Sequence, residues 1–197
     1  SFPDIGADQF GAPGFWVGTT STDWGTTTNW DDAAVPTTGA NITVSTGASN
    51  MPVLDAARTV GTLALGTSTT LGLNGQTFTI NGLVSGSGTL TGSAASSLSI
   101  VGAAGTLNFT SGSRILKDLT LAASATATLG TALDITGGAS AGTVTIGDGG
   151  TLTTGGNLTL KSDENGTARI AQLNTGAISG NVAQERFIPA KASRTYS

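Results

Sequence analysis

The chain of 197 residues contains neither cysteine nor histidine, only 10% charged side chains and a formal net charge of −4. Disulfide frameworks, thiolate or imidazole metal sites and Ser-His-Asp catalysis are therefore excluded, and no basic footprint exists for nucleic acid or anionic lipid. No apolar run reaches the roughly eighteen residues that a membrane-spanning helix needs.

Taken in order, residues 1–14 combine two prolines with three glycines and show no hydrophobic period. An extended N-terminal segment is expected there. It packs on the first rung or stays mobile, or else it pairs as a strand with a neighbouring subunit, using Phe2, Ile5 and Phe10 as apolar anchors.

Residues 15–57 differ in composition, with Trp16, Trp24 and Trp30 close together beside Asp23, Asp31 and Asp32. Two roles fit. Indole faces with neighbouring carboxylates suit a platform for sugar. Large aromatics placed ahead of a repeat also suit a cap that closes its apolar end, with the first rung following. Met51-Pro52-Val53-Leu54 reads as a short strand with Pro52 at its edge.

Residues 58–172 are a train of short hydrophobic beats separated by Gly, Ser, Thr and Asn: Leu63-Ala64-Leu65, Phe78-Thr79-Ile80, Leu98-Ser99-Ile100, Leu119-Thr120-Leu121, Val144-Thr145-Ile146 and Leu158-Thr159-Leu160. Apolar residues at i and i+2 share one face of a strand, and nothing recurs at helical spacing. Phe78, Leu98 and Leu119 lie about twenty residues apart, and Leu71, Leu90, Leu107, Leu129 and Leu152 suggest a second register of similar length. A period in this range signals stacked repeats, because one rung cannot bury its inward residues alone. The spacing predicts an all-β chain forming a single right-handed parallel β-helix, or β-solenoid, with an aromatic N-terminal cap. Gly86-Ser87-Gly88 and Gly92 are turns, since neither a helix nor a phosphate-binding Lys follows.

Charges return after Leu160, around an expected Asn165-Gly166 turn. Residues 173–197 are expected to form a terminal strand segment, with Val182, Phe187 and Ile188 as candidate subunit contacts.

Phe15-Trp16-Val17-Gly18, Ser21-Thr22-Asp23-Trp24, Asn29-Trp30, Val35-Pro36 and Ile42-Thr43-Val44 resemble the opening of many secreted β-helical surface proteins of Bacteroidetes and of autotransporter-like passengers. Leu158-Thr159-Leu160-Lys161-Ser162, Gly166-Thr167-Ala168-Arg169-Ile170, Ile178-Ser179-Gly180-Asn181-Val182 and Glu185-Arg186-Phe187-Ile188-Pro189 resemble the segment that closes such repeats. The resemblance implies export, often by the type IX route, and an extracellular or cell-surface location. The C-terminal sorting domain usual in such proteins is not seen here. Little follows from it about activity.

Between Ala56 and Leu160 the only charged residues are Arg58, Arg114, Lys117, Asp118, Asp134 and Asp148. The strongest enzyme case places Arg114, Lys117, Asp118 and Asp134 on one face, as in polysaccharide lyases built on β-helices, with Asp118 and Asp134 the only carboxylate pair for glycosidase chemistry. Corner charges as solvent anchors explain them equally, and no enzyme is expected. Asp31 with Asp32, and Asp148 in a Gly-Asp-Gly-Gly turn, are possible Ca2+ ligands, although turn formation also accounts for them. Outward Thr residues such as Thr79, Thr120 and Thr145 resemble the ranks on β-helical ice-binding proteins, with Ser99, Asn108 and Asp134 breaking the pattern. The expected function is structural or adhesive: a rigid secreted unit of a stalk, fibre or filament that associates with its own copies head to tail or by strand exchange. A carbohydrate-binding surface module is the alternative.

Overall fold

The computed structural model describes residues 14–189. Among them the chain is a parallel β-solenoid in which each turn crosses three faces. The first face is an eight-stranded parallel sheet made of Phe15–Trp16, Ile42–Val44, Leu63–Leu65, Val84–Gly86, Ala103–Leu107, Thr126–Leu129, Thr151–Thr153 and Ala177–Ser179. The second contains Arg58–Val60, Thr77–Ile80, Ser97–Ile100, Asp118–Leu121, Thr143–Ile146 and Arg169–Ile170. The third is divided between Thr70–Gly72 with Thr89–Thr91 and a later set, Ile115–Leu116, Leu133–Ile135, Leu158–Leu160 and Val182–Gln184.

The i, i+2 pairing of the sequence becomes the interior. On the second face Phe78, Leu98, Leu119, Val144 and Ile170 stack in one column and Val60, Ile80, Ile100, Leu121 and Ile146 in the next. All of these except Ile170 are buried. Each such side chain removed from water contributes on the order of 1.5–3 kcal/mol, and only the neighbouring rungs can supply its cover.

The register expected for Leu71, Leu90, Leu107, Leu129 and Leu152 is not one column. Leu71 pairs with Leu90 on the third face, and Leu90 bridges to Phe109 there. Leu107 pairs with Leu129 on the first face, where Leu152 stands over Ala127. Equal sequence spacing cannot distinguish two faces of one rung, because both repeat with the same period.

Rung length grows along the axis: 20 residues from Phe78 to Leu98, 21 to Leu119 and 25 to Val144. The extra chain enters at the corner between the third and second faces, where Lys117 alone gives way to 136–142 and then to 161–168. The last of these holds a small antiparallel hairpin, Ser162–Asp163 with Gly166–Thr167. Its loop residues are Glu164 and Asn165, one position before the expected Asn165-Gly166 turn. The Asp163 carboxylate fixes it by accepting hydrogen bonds from the Asn165 and Gly166 amides at 2.7 and 3.2 Å.

Candidate functional site

The two ends of the solenoid are built differently. At the N-terminal end, Phe15–Trp16 lies parallel on Ile42–Val44 and puts Trp16 over Val44. The chain then returns, so that Trp30 bridges Trp16 in the antiparallel sense, with Val17 N–H donating to Asn29 O at 2.9 Å and Asp31 N–H to Phe15 O at 3.0 Å. This antiparallel return occupies the outer edge of the first sheet. The third face is closed by Asp23, bridged to Val53, and the second by Gly39 and Ala40, which bond to Thr59 and Gly61.

The three indoles fill the space inside. Trp16, Trp24 and Trp30 are 0%, 2% and 2% exposed. Trp30 meets Trp16 and Trp24 edge to face, with ring centroids 5.0 and 4.8 Å apart, and Trp24 leans on Phe78 of the second face at 6.4 Å. Such contacts are favourable beyond area burial because the positive ring edge meets the negative ring face. The rings thus form a packed plug on the first rung, and none turns a face to solvent where a sugar would stack.

Asn29 organises the loop around the plug, a role the sequence left unassigned. It is fully buried; its Oδ1 accepts from the amides of Thr20 and Ser21, and its Nδ2 donates to Ser21 Oγ and Asp23 O. Its position directly before Trp30 in the quoted opening was the available signal. Asn50 has a similar tie, its carbonyl accepting from Trp16 Nε1 at 2.7 Å and its Nδ2 donating to Gly18 O at 2.7 Å.

Among the described residues the C-terminal end has no counterpart. The last strands of the three faces are Arg169–Ile170, Ala177–Ser179 and Val182–Gln184, and no described strand lies beyond them. Their inward residues Ile170, Ile178 and Val182 pack on the core from one side and remain half-exposed on the other. Leu173 is exposed nearby, and Phe187 and Ile188 are 44% and 78% exposed. Beside this end a cleft of about 530 Å³ opens between the hairpin and the strand leading to Phe187, lined by Asp163, Glu164, Glu185 and Arg186. Lys161 pairs with Glu185, and the hydrogen bond from its ammonium holds the Glu185 carboxyl below its usual range. Phe2, Ile5 and Phe10, the anchors expected in the leading segment, lie outside the described residues.

The charged residues of the repeats do not converge. Asp118 stands on the second face, its Oδ1 accepting from the Thr143 amide at 3.0 Å, whereas Asp134 stands on the third and pairs with Arg114 at 3.2 Å. The carboxylate pair considered for glycosidase chemistry is thereby split between two sheets. Asp32 accepts from the Ala34 amide two residues on, a turn contact, whereas Asp148 accepts at 3.4 Å from the Thr175 amide of the next rung. Among the described residues no group of three or more acidic side chains gathers as a metal site. No family model matches the chain, and no curated protein or solved structure matches it either.

Proposed function

We propose that the chain is a rigid structural unit of an extracellular surface assembly, sealed at its N-terminal end and joined to its partner through the C-terminal end. The observation that carries this is the contrast between the ends: three indoles and an antiparallel return close one, while three strand edges and half-exposed Ile170, Ile178 and Val182 mark the other. Unpaired strand edges beside apolar side chains are templates for a further strand. The partner is a second copy of the chain, and Phe187 and Ile188 extend the apolar contact. The extracellular setting rests on the resemblance of the opening and closing segments to secreted β-helical surface proteins.

Because the outer edge of the first sheet is already paired by Asn29–Asp31, a parallel strand cannot add there. Contacts through the open ends alone would be two-fold and would close as dimers, whereas contact with a segment of another copy would propagate. Sedimentation and electron microscopy across a concentration range test the proposal. Concentration-dependent association, abolished by Ile178→Lys, is the expected result. Monomers at every concentration would overturn it.

A further inference from the structure

The second face carries an ordered array that the end-to-end reading does not use. Its outward residues form two in-register columns: Thr59, Thr79, Ser99, Thr120 and Thr145 in one, and Thr77, Ser97, Asp118 and Thr143 in the other. Side chains therefore repeat at about 4.8 Å from strand to strand and about 6.6 Å along each strand. Ser99 continues the first column. Asp134 lies on the third face and Asn108 past the end of a first-face strand, so neither interrupts this array.

The hydroxyls of the first column are not engaged by the described residues. Thr59, Thr79, Ser99, Thr120 and Thr145 are half-exposed and make no side-chain hydrogen bond to any described residue. Corner hydroxyls behave differently: Thr69 donates to Gly66 O, Ser96 accepts from the Gly75 amide, and Thr131 both accepts from and donates to the Phe109 backbone. Pairing across the second face runs from Arg58–Val60 to Thr143–Ile146 without a register shift, whereas the first face is broken by a bulge between Ala103 and Gly105. The first column carries no charge; Asp118 stands in the second column on an interior strand, and Arg169 continues that column on an end strand.

We propose that this face orders a lattice of water and thereby binds a growing ice surface. An in-register row of hydroxyl groups, fixed by the strand ladder beneath it, holds water at repeated positions without having to order itself first. A glycan would instead need aromatic faces or convergent polar groups, and a second sheet would need apolar contacts; the columns supply neither.

The test is ice-crystal shaping and inhibition of ice recrystallisation by the full chain. It compares Thr79→Tyr and Thr120→Tyr with Thr128→Tyr on the first face and Thr159→Tyr on the third. All four are outward strand positions where Tyr is accepted, and thermal melts establish that each variant folds. Ice shaping by the parent chain, lost in Thr79→Tyr and Thr120→Tyr and kept in the two controls, is expected. Absence of shaping by the parent overturns the proposal, as does equal loss in the controls or full retention in Thr120→Tyr. A face-to-face dimer or a bound glycan that Thr120→Tyr releases, with no effect on ice, overturns it equally.

Discussion

The Trp30 indole N–H donates to the carbonyl of Trp24 at 2.8 Å while the two rings meet at 71°. Trp16 is tied in the same way to Asn50, but Trp24 Nε1 is buried with no acceptor among the described residues. Replacement of each Trp by Phe removes similar volume, yet only at Trp16 and Trp30 does it also break a hydrogen bond and strand a carbonyl. Trp24→Phe should therefore be milder than either by about 0.5–1.5 kcal/mol. Urea unfolding followed by circular dichroism would rank the three, and an equal cost at all positions would show that volume alone matters.

Gly86 has φ +88°, and a Cβ there would stand 1.9 Å from Leu65 O. The strain and the clash coincide, so Gly86→Ala should cost at least the roughly 1–3 kcal/mol of a disfavoured backbone conformation. Gly112, with open space around it, is the control, and Gly112→Ala should stay within about 0.5 kcal/mol. Melting temperatures of the two variants decide the matter, and a shift of similar size in both would contradict it.

Much of this architecture could be read before any coordinates. Phe78-Thr79-Ile80 and its successors announce a two-residue alternation and a twenty-residue repeat, which together leave stacked rungs as the economical solution. The division of Leu71 and Leu107 between faces was hidden, because corner lengths decide which face a beat lands on and corners carry little hydrophobic signal. The Trp cluster was conspicuous in composition, but its burial depends on the chain turning back at Asn29, a long-range hydrogen-bonding event. Asp118 and Asp134 were expected on one face across neighbouring rungs, but they stand on different sheets, again because corner lengths decide the face.

Acid should weaken the N-terminal corner. Burial alone would raise the Asp55 carboxyl, but hydrogen bonds from Arg58 at 2.7, 2.8 and 3.0 Å, with backbone amides and the guanidinium charge, outweigh it and hold the group below its usual 3.8. A carboxyl lowered on folding adds stability that is fully present above the unfolded value and is lost as the pH falls through the folded one. Both partners are about a third exposed or less, so the contribution is about 0–1 kcal/mol after solvent screening. Denaturant midpoints measured from neutral to strongly acid buffer should fall less steeply in Asp55→Asn than in the parent chain. Identical acid limbs would remove Asp55 from the explanation.

Asn29 offers the sharpest single-residue test, because its amide is used in both directions. Asn29→Ala leaves the Thr20 and Ser21 amides and the Asp23 carbonyl without their partner, at a cost of about 1–3 kcal/mol. Asn29→Asp keeps the acceptor but turns the donor into a second oxygen facing Asp23 O, inside a site that is 0% exposed. The introduced carboxyl is then easier to bury neutral than charged, so its folded pKa rises above the unfolded one. By linkage the penalty of Asn29→Asp grows as the pH rises through that interval and shrinks in acid, the reverse of the Asp55 effect. Unfolding of the parent, Asn29→Ala and Asn29→Asp at several pH values should show a nearly constant gap for alanine and a widening gap for aspartate. A pH-independent gap for both would mean that the Nδ2 contacts do not hold the loop around the indoles.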